Sequence, residues 1–265
     1  MKFKLGCQLN YQVSNTSTFI FNICALQNDE QRILDSSLQI KPHFDYEVYT
    51  LQEQENNYFR VVAPPGELNV SYQATVEIKN RNIEICKELP ETPPAELPLD
   101  VIQYLYPSRY CQSDRFGKLA YDEFGNCPPG YQRVEAICDW IYEKVAYTSG
   151  STNSQTSAYD TVAERVGVCR DFAHLGIAFC RALNIPARFV SAYAWKLQPP
   201  DFHACFEAYL GNKWYTFDAT RLAPIESFVR IGTGRDAADV SFSTVFGAVQ
   251  FKNMKVYIDK LTQTD

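Results

Sequence analysis

Four prolines fall within the ten residues from Leu89 to Pro98, and the chain follows different rules on either side of them. Proline fixes φ and lacks an N–H, so this stretch disfavours regular structure and marks a boundary between two folding units. Before it, Phe3, Leu5, Cys7, Leu9, Tyr11 and Val13 alternate with mostly polar neighbours. Leu68, Val70, Tyr72, Ala74, Val76 and Ile78 do so again. Period two belongs to a strand with one buried face. Phe19 to Leu26 is an apolar run of strand length, and Tyr46 to Gln52 and Tyr58 to Ala63 read as further strands. Gln31 to Pro42 is less regular, and Asn80-Arg81-Asn82 turns into a last run from Ile83 to Cys86. Several strands at short spacing with no helical period predict an antiparallel β-sandwich over 1–90, with Cys7, Cys24 and Cys86 in its core.

The remaining residues, 91–265, predict a second domain of mixed elements. Leu99 to Tyr106 reads as a short helix, and Val134, Ile137, Cys138, Ile141 and Val145 mark an amphipathic one. Ser157-Ala158-Tyr159-Asp160 has the form of a capping box for a helix reaching Arg165. Phe172, Leu175, Gly176, Phe179 and Leu183 recur at helical steps, and Asn184 and Pro186 end that helix. Arg188 to Ala194 is a β-branched and aromatic run, and His203–Leu210, Gly211-Asn212 and Lys213–Asp218 read as strand, two-residue turn and strand. The prediction is α+β: a helix packed on an antiparallel sheet, with closing strands near Phe246–Val249 and Met254–Ile258.

Cys169 opens the central helix. Backbone N–H groups there lack partners and the helix dipole is positive, an environment that favours a thiolate. Gly167 provides conformational freedom just before it. A nucleophilic cysteine needs a base, and the chain has three histidines. His174 lies five residues along the same helix and points elsewhere, which makes it a hydrogen-bonded core histidine. His43 follows Pro42 in a loop-like stretch. His203 is left. If Leu210 pairs with Lys213, His203 falls opposite Thr220, and Asp218 sits one diagonal step away on the same face. An acid beside an imidazole fixes its tautomer and stabilises the imidazolium. The polar loop Thr148–Ser157 returns the chain to the cysteine helix, as a mobile connection or as a flap beside a cleft.

Several runs together carry a resemblance. They are Gly167-Val168-Cys169-Arg170-Asp171-Phe172-Ala173-His174-Leu175, Arg181 to Val190, Asp201-Phe202-His203-Ala204 and Trp214 to Thr220. In that order they resemble the bacterial transglutaminase-like superfamily, whose members include cysteine proteases. Gly234 to Val240 looks like the family's C-terminal signature, and the β-rich start resembles the N-terminal domain of many bacterial members. The resemblance implies a papain-like triad of Cys169, His203 and Asp218. Cys205 departs from the pattern, since the family usually has Trp two residues after the histidine.

These readings converge on thiol-dependent acyl transfer at peptide or isopeptide amides, most simply hydrolysis by a cysteine peptidase or amidase through a thioester. The Cys169 N–H is the expected oxyanion donor, with Tyr147 or Trp195 as side-chain candidates. A protein-crosslinking transglutaminase and an inert transglutaminase-like binding module are the alternatives. A metal site built from Cys169, His203, Cys205 and Asp218 has the right residue types but no Cys-x-x-Cys or His-x-x-x-His spacing, so no metal and no cofactor are expected. The expected partner is a peptide or protein substrate. A net charge of −6 and the absence of a basic run argue against nucleic acid. There is no apolar signal-type start and no apolar run long enough for a membrane, and the nine scattered cysteines suit a reducing, cytoplasmic setting.

Overall fold

A computed structural model describes residues 1–51, 56–79 and 88–261. The first strands are β1 (Lys2–Val13), β2 (Ser17–Phe21), β3 (Gln31–Lys41), β4 (Tyr46–Leu51), β5 (Asn56–Ala63) and β6 (Gly66–Ile78). The alternation in β1 buries Phe3, Leu5, Cys7, Leu9, Tyr11 and Val13 on one face. Phe19 and Phe21 of β2 and Phe59 and Val61 of β5 fill the opposite side of the same core. Phe21 stacks on Phe59 with centroids 5.0 Å apart. Gly6 lets the strands close up, because a Cβ there would lie 2.3 Å from the Tyr72 carbonyl oxygen.

The second unit contains α1 (Gly117–Phe124), α2 (Tyr131–Lys144), β7 (Ala146–Tyr147), α3 (Ala158–Glu164), β8 (Val166–Gly167) and α4 (Cys169–Ala182). The strands β9 (Ala187–Ala194), β10 (Phe202–Leu210), β11 (Lys213–Phe217) and β12 (Phe228–Gly234) follow. They form one antiparallel sheet in the order β11-β10-β9-β12. The helix α4 is buried between this sheet and the other helices, and every residue from Asp171 to Arg181 is inside. Gly176 sets how close it comes to β10: a Cβ there would be 2.5 Å from the Phe206 ring. The fold is thus α+β, with an antiparallel sandwich and a cysteine-bearing helix on an antiparallel sheet.

The predicted division at 90/91 does not describe the sheets. The last strands, β13 (Ser243–Phe246) and β14 (Val249–Leu261), belong to the sandwich: β13 pairs with β2 and β14 with β1. The two sandwich sheets are therefore β14-β1-β6-β3 and β13-β2-β5-β4. The cause is the ladder of β1, which has a partner on both edges and takes one, β6, from the N-terminal part of the chain and the other, β14, from its far end. Only Val256 of β14 is buried, so its sequence gives little sign of this role.

Other differences have similar causes. Residues 31–41 form a full strand despite their irregular pattern, because β3 is an edge strand with a bulge between Ile33 and Asp35. The run from Phe19 stops being a strand at Phe21. Residues 22–26 leave the sheet and press on the second unit, where Leu26 N–H donates to the Arg230 carbonyl and the Tyr193 hydroxyl to the Ile23 carbonyl. Residues 99–106 yield only a 3₁₀ turn over Ile102–Leu105. The run Ile83 to Cys86, with the predicted core role of Cys86, lies outside the described residues.

Two buried side-chain amides join the units. Gln31 Nε2 donates to the Arg230 carbonyl and its Oε1 accepts from Arg230 N–H, at 2.9 and 2.8 Å. Asn56 does the same with Thr233, at 2.7 and 2.9 Å. The backbone of β12 is thereby satisfied by sandwich side chains rather than by another strand.

Candidate active site

Cys169 is the first residue of α4, half-buried, with Val168 as the extended residue before it. Asp171 anchors this helix start. Its Oδ2 accepts from Val168 N–H at 3.0 Å and from the Thr152 hydroxyl at 2.8 Å, and its Oδ1 takes the Arg170 guanidinium. Gly167 contributes close approach rather than flexibility. It sits in β8, paired in parallel with Tyr147 of β7, and a Cβ on it would lie 2.9 Å from Asp171 Cβ. The loop 148–157 is tied beside the site: Arg170 donates to the Asn153 carbonyl at 2.6 Å and the Tyr110 hydroxyl to the Ser154 carbonyl at 2.7 Å.

The β10–β11 hairpin has the expected register, with Leu210 opposite Lys213 and Phe206 opposite Phe217. Gly211 and Asn212 carry φ values of 52° and 66°, the positive pair that a two-residue hairpin turn requires. The ladder ends at Phe217, which frees Asp218 to swing to His203 instead of staying a diagonal step away. His203 Nε2 is 2.8 Å from Asp218 Oδ2. Asp218 Oδ1 accepts from both the N–H and the hydroxyl of Thr220, at 2.9 and 2.8 Å. Phe228 packs edge-on against the imidazole, with centroids 5.1 Å apart.

His203 Nδ1 is buried without a hydrogen-bond partner, and it is the ring nitrogen left for Cys169. Burial works against a charged imidazole here, but the Asp218 hydrogen bond and the nearby Cys169 thiol outweigh it and raise its pKa to about 10. The structure thus brings Cys169, His203 and Asp218 together. Cys205 lies elsewhere, in an apolar cluster with Val190, Leu197 and Phe228. No group of three or more His, Cys, Asp or Glu side chains suited to a metal ion occurs among the described residues.

Tyr147 lies against Cys169. Burial raises its pKa and the Cys169 thiol raises it further, while a hydrogen bond from the Cys169 backbone N–H acts in the opposite direction. Trp195, the other aromatic candidate, is remote and packs on Phe3 with centroids 6.1 Å apart. Asp201 stands two residues before His203 in the same run, which gives it no site role by itself. It lines the cleft, and burial raises its pKa, while its bond from Phe202 N–H and the His203 charge oppose the rise. His174 is the expected core histidine, stacked on Tyr110 with its Nε2 accepting from Ala237 N–H at 3.1 Å. Burial pushes its pKa down to about 3.

Cys169 and His203 open into a cleft of about 660 Å³ between the two units. One wall is the Ala237–Val240 turn, held by Asp236, whose carboxylate accepts from Tyr110 and Ala238 N–H groups. The opposite wall comes from the sandwich strand β13 and from Met254 of β14.

A cysteine at a helix start, facing a histidine and a buried aspartate on an antiparallel sheet, defines the transglutaminase-like class of fold. The chain belongs to the transglutaminase-like superfamily: that description matches residues 118–219, and the bacterial transglutaminase N-terminal domain matches residues 1–99. A solved structure of a proposed cysteine protease from Cytophaga hutchinsonii is similar at 50% identity and a TM-score of 0.93, covering 99% of this chain and 91% of that one. The uncharacterized protein ML0607 of Mycobacterium leprae is 34% identical over 117 residues, which are 41% of this chain and 42% of that protein. The uncharacterized protein Rv2569c of Mycobacterium tuberculosis is 33% identical over 127 residues, 42% of this chain and 40% of that protein. The chain therefore matches about two-fifths of the length of these mycobacterial relatives. No helix among the described residues is long and apolar enough to cross a membrane.

Proposed function

We propose that the protein is a thiol-dependent hydrolase of peptide or isopeptide amides, working through a Cys169–His203–Asp218 triad. Cys169 Sγ attacks the amide carbonyl to give a tetrahedral oxyanion. The Cys169 backbone N–H, in the first turn of α4 where no helix carbonyl takes it, donates to that oxygen. The Tyr147 hydroxyl beside this N–H yields it to the oxyanion. His203, charged and held by Asp218, gives its proton to the leaving amine, and a thioester remains. Neutral His203 then takes a proton from water as the water attacks the thioester, releasing the acid and expelling the Cys169 thiolate, which restores the thiolate–imidazolium pair.

The observation that carries this reading is the division of labour on the His203 ring. Nε2 is engaged by a buried carboxylate and Nδ1 is left for the sulfur. The similarity to a proposed cysteine protease over nearly the whole chain supports the same class of chemistry. The test is mass analysis of reduced, alkylated casein after incubation with the native protein and with Cys169→Ala. Fragments produced only by the native protein are the expected result. Lysine-joined products without fragments would make it a crosslinking transglutaminase, and no change in either sample would leave a binding module.

A further inference from the structure

The sandwich strand β13 reaches the cleft with an unusual presentation. Ser241, Phe242, Ser243, Thr244 and Val245 all line it. Ser241 and Phe242 lead into β13 and the other three belong to it; successive residues of a strand point to opposite faces, so a cavity that touches three strand residues in a row runs along the strand's edge. Among the described residues that edge is open: β13 is the end strand of its sheet and pairs only with β2.

The register shows which backbone groups face the cleft. Asn22 N–H donates to the Phe242 carbonyl at 3.2 Å, and Ser243 is opposite Phe21. Phe242 and Asn22 are therefore a hydrogen-bonded pair. Antiparallel pairs alternate, so Thr244 and Phe246 also point their N–H and C=O at β2, while Ser243 and Val245 point theirs away. The Ser241 hydroxyl donates to the Ser243 carbonyl at 3.1 Å, which agrees with this outward direction. By that alternation Val245 N–H and C=O point away from β2, and no other strand pairs with β13 among the described residues. Phe242 stacks on Phe202 at 5.4 Å, which fixes this edge beside the strand that carries His203.

We propose that β13 is a substrate-binding strand: an extended polypeptide adds to its open edge through Ser243 and Val245, and this places an amide of that polypeptide at Cys169. The inference rests on Cys169 being the nucleophile. The occupant is an extended peptide because the open edge is continuous with the reactive cleft and offers main-chain groups, which recognise a backbone and leave its sequence nearly free. The sandwich is then half of the active-site groove.

The test uses acetylated peptidyl chloromethyl ketones of one to five residues and reads Cys169 alkylation by peptide mass spectrometry, with iodoacetamide in parallel. In the native protein the rate is expected to rise about tenfold with peptide length, the factor that one or two net backbone hydrogen bonds carry. Val245→Pro removes only an outward N–H, which an edge strand tolerates, and is expected to abolish the gain. Val245→Ala keeps that N–H and is expected to keep the gain. Unchanged iodoacetamide rates in both variants show that the Cys169 site is intact. A length gain that survives Val245→Pro overturns the proposal, as does a dimeric protein that the same variant makes monomeric, since the edge then serves a second copy. Slow iodoacetamide labelling of the native protein strikes at the nucleophile itself and not at β13.

Discussion

His174 and His203 are both buried in the same domain, one on α4 and the other on the sheet beneath it, and they lie in opposite protonation regimes. At His174 burial opposes the charge, the Arg170 and Arg181 guanidinium groups add to that, and Asp171 only partly offsets them, so its pKa falls to about 3. At His203 burial again opposes the charge, but a direct hydrogen bond to Asp218 and the Cys169 thiol overcome it and the pKa rises to about 10. Burial sets the cost of a charge and the partner sets its sign. The structural His174 and the His203 proposed for proton transfer thus differ by the Asp218 carboxylate 2.8 Å from the ring and by the neighbouring Cys169 thiol.

The two sites couple oppositely to stability. His203 has a folded pKa above the ordinary 6.5, so its contribution is full below about 6.5 and is lost as pH rises through about 10. His174 has a folded pKa below 6.5, so its contribution is full above about 6.5 and is lost as pH falls toward about 3.

The largest expected effect comes from removing His203. His203→Ala should lower turnover of a cleaved peptide by about 10⁴-fold or more, read as kcat/KM. Asp218→Asn makes the His203 site resemble the His174 site. It should cost about 10²–10⁴-fold in kcat and bring the His203 titration, followed by NMR of the ring, down from about 10 toward or below 6.5. An unchanged titration would dissolve the contrast between the two histidines. Gly176→Ala drives a methyl into Phe206 where α4 meets β10, and should lower unfolding free energy by about 1–3 kcal/mol with a higher KM and a smaller change in kcat. His174→Phe should have the smallest effect on Cys169 chemistry. It should flatten the loss of stability between pH 6.5 and 3 in urea titrations, at a cost of about 1–3 kcal/mol at pH 7 for the unsatisfied Ala237 N–H.

Local signals made much of this legible in the sequence. The alternation in β1 and β6, the helical steps after Cys169 and the turn at Gly211-Asn212 each encode their element directly, and the hairpin register followed from the turn. Asp218 was legible to within one diagonal step. Its final place depends on where the ladder stops and on Thr220, and no periodicity records either. The role of β14 was not legible because most of its residues are exposed and its partner lies at the far end of the chain. Residues 23–26 are apolar because they are held between the two units, with Ala25 N–H donating to the Tyr72 hydroxyl and the Tyr193 hydroxyl to the Ile23 carbonyl, a placement that a strand pattern imitates. Asp201 opens the run that carries His203, but its place in the cleft comes only from the fold around it.

The rate of iodoacetamide alkylation at Cys169 against pH, in the native protein and in His203→Ala, tests the central claim most directly. The account predicts fast labelling at pH 6, well below the range in which a free thiol with a pKa of about 8.5 reacts, and its loss in the variant. Labelling that rises only at alkaline pH and is the same in both proteins would contradict it, and Cys169 would be an ordinary thiol.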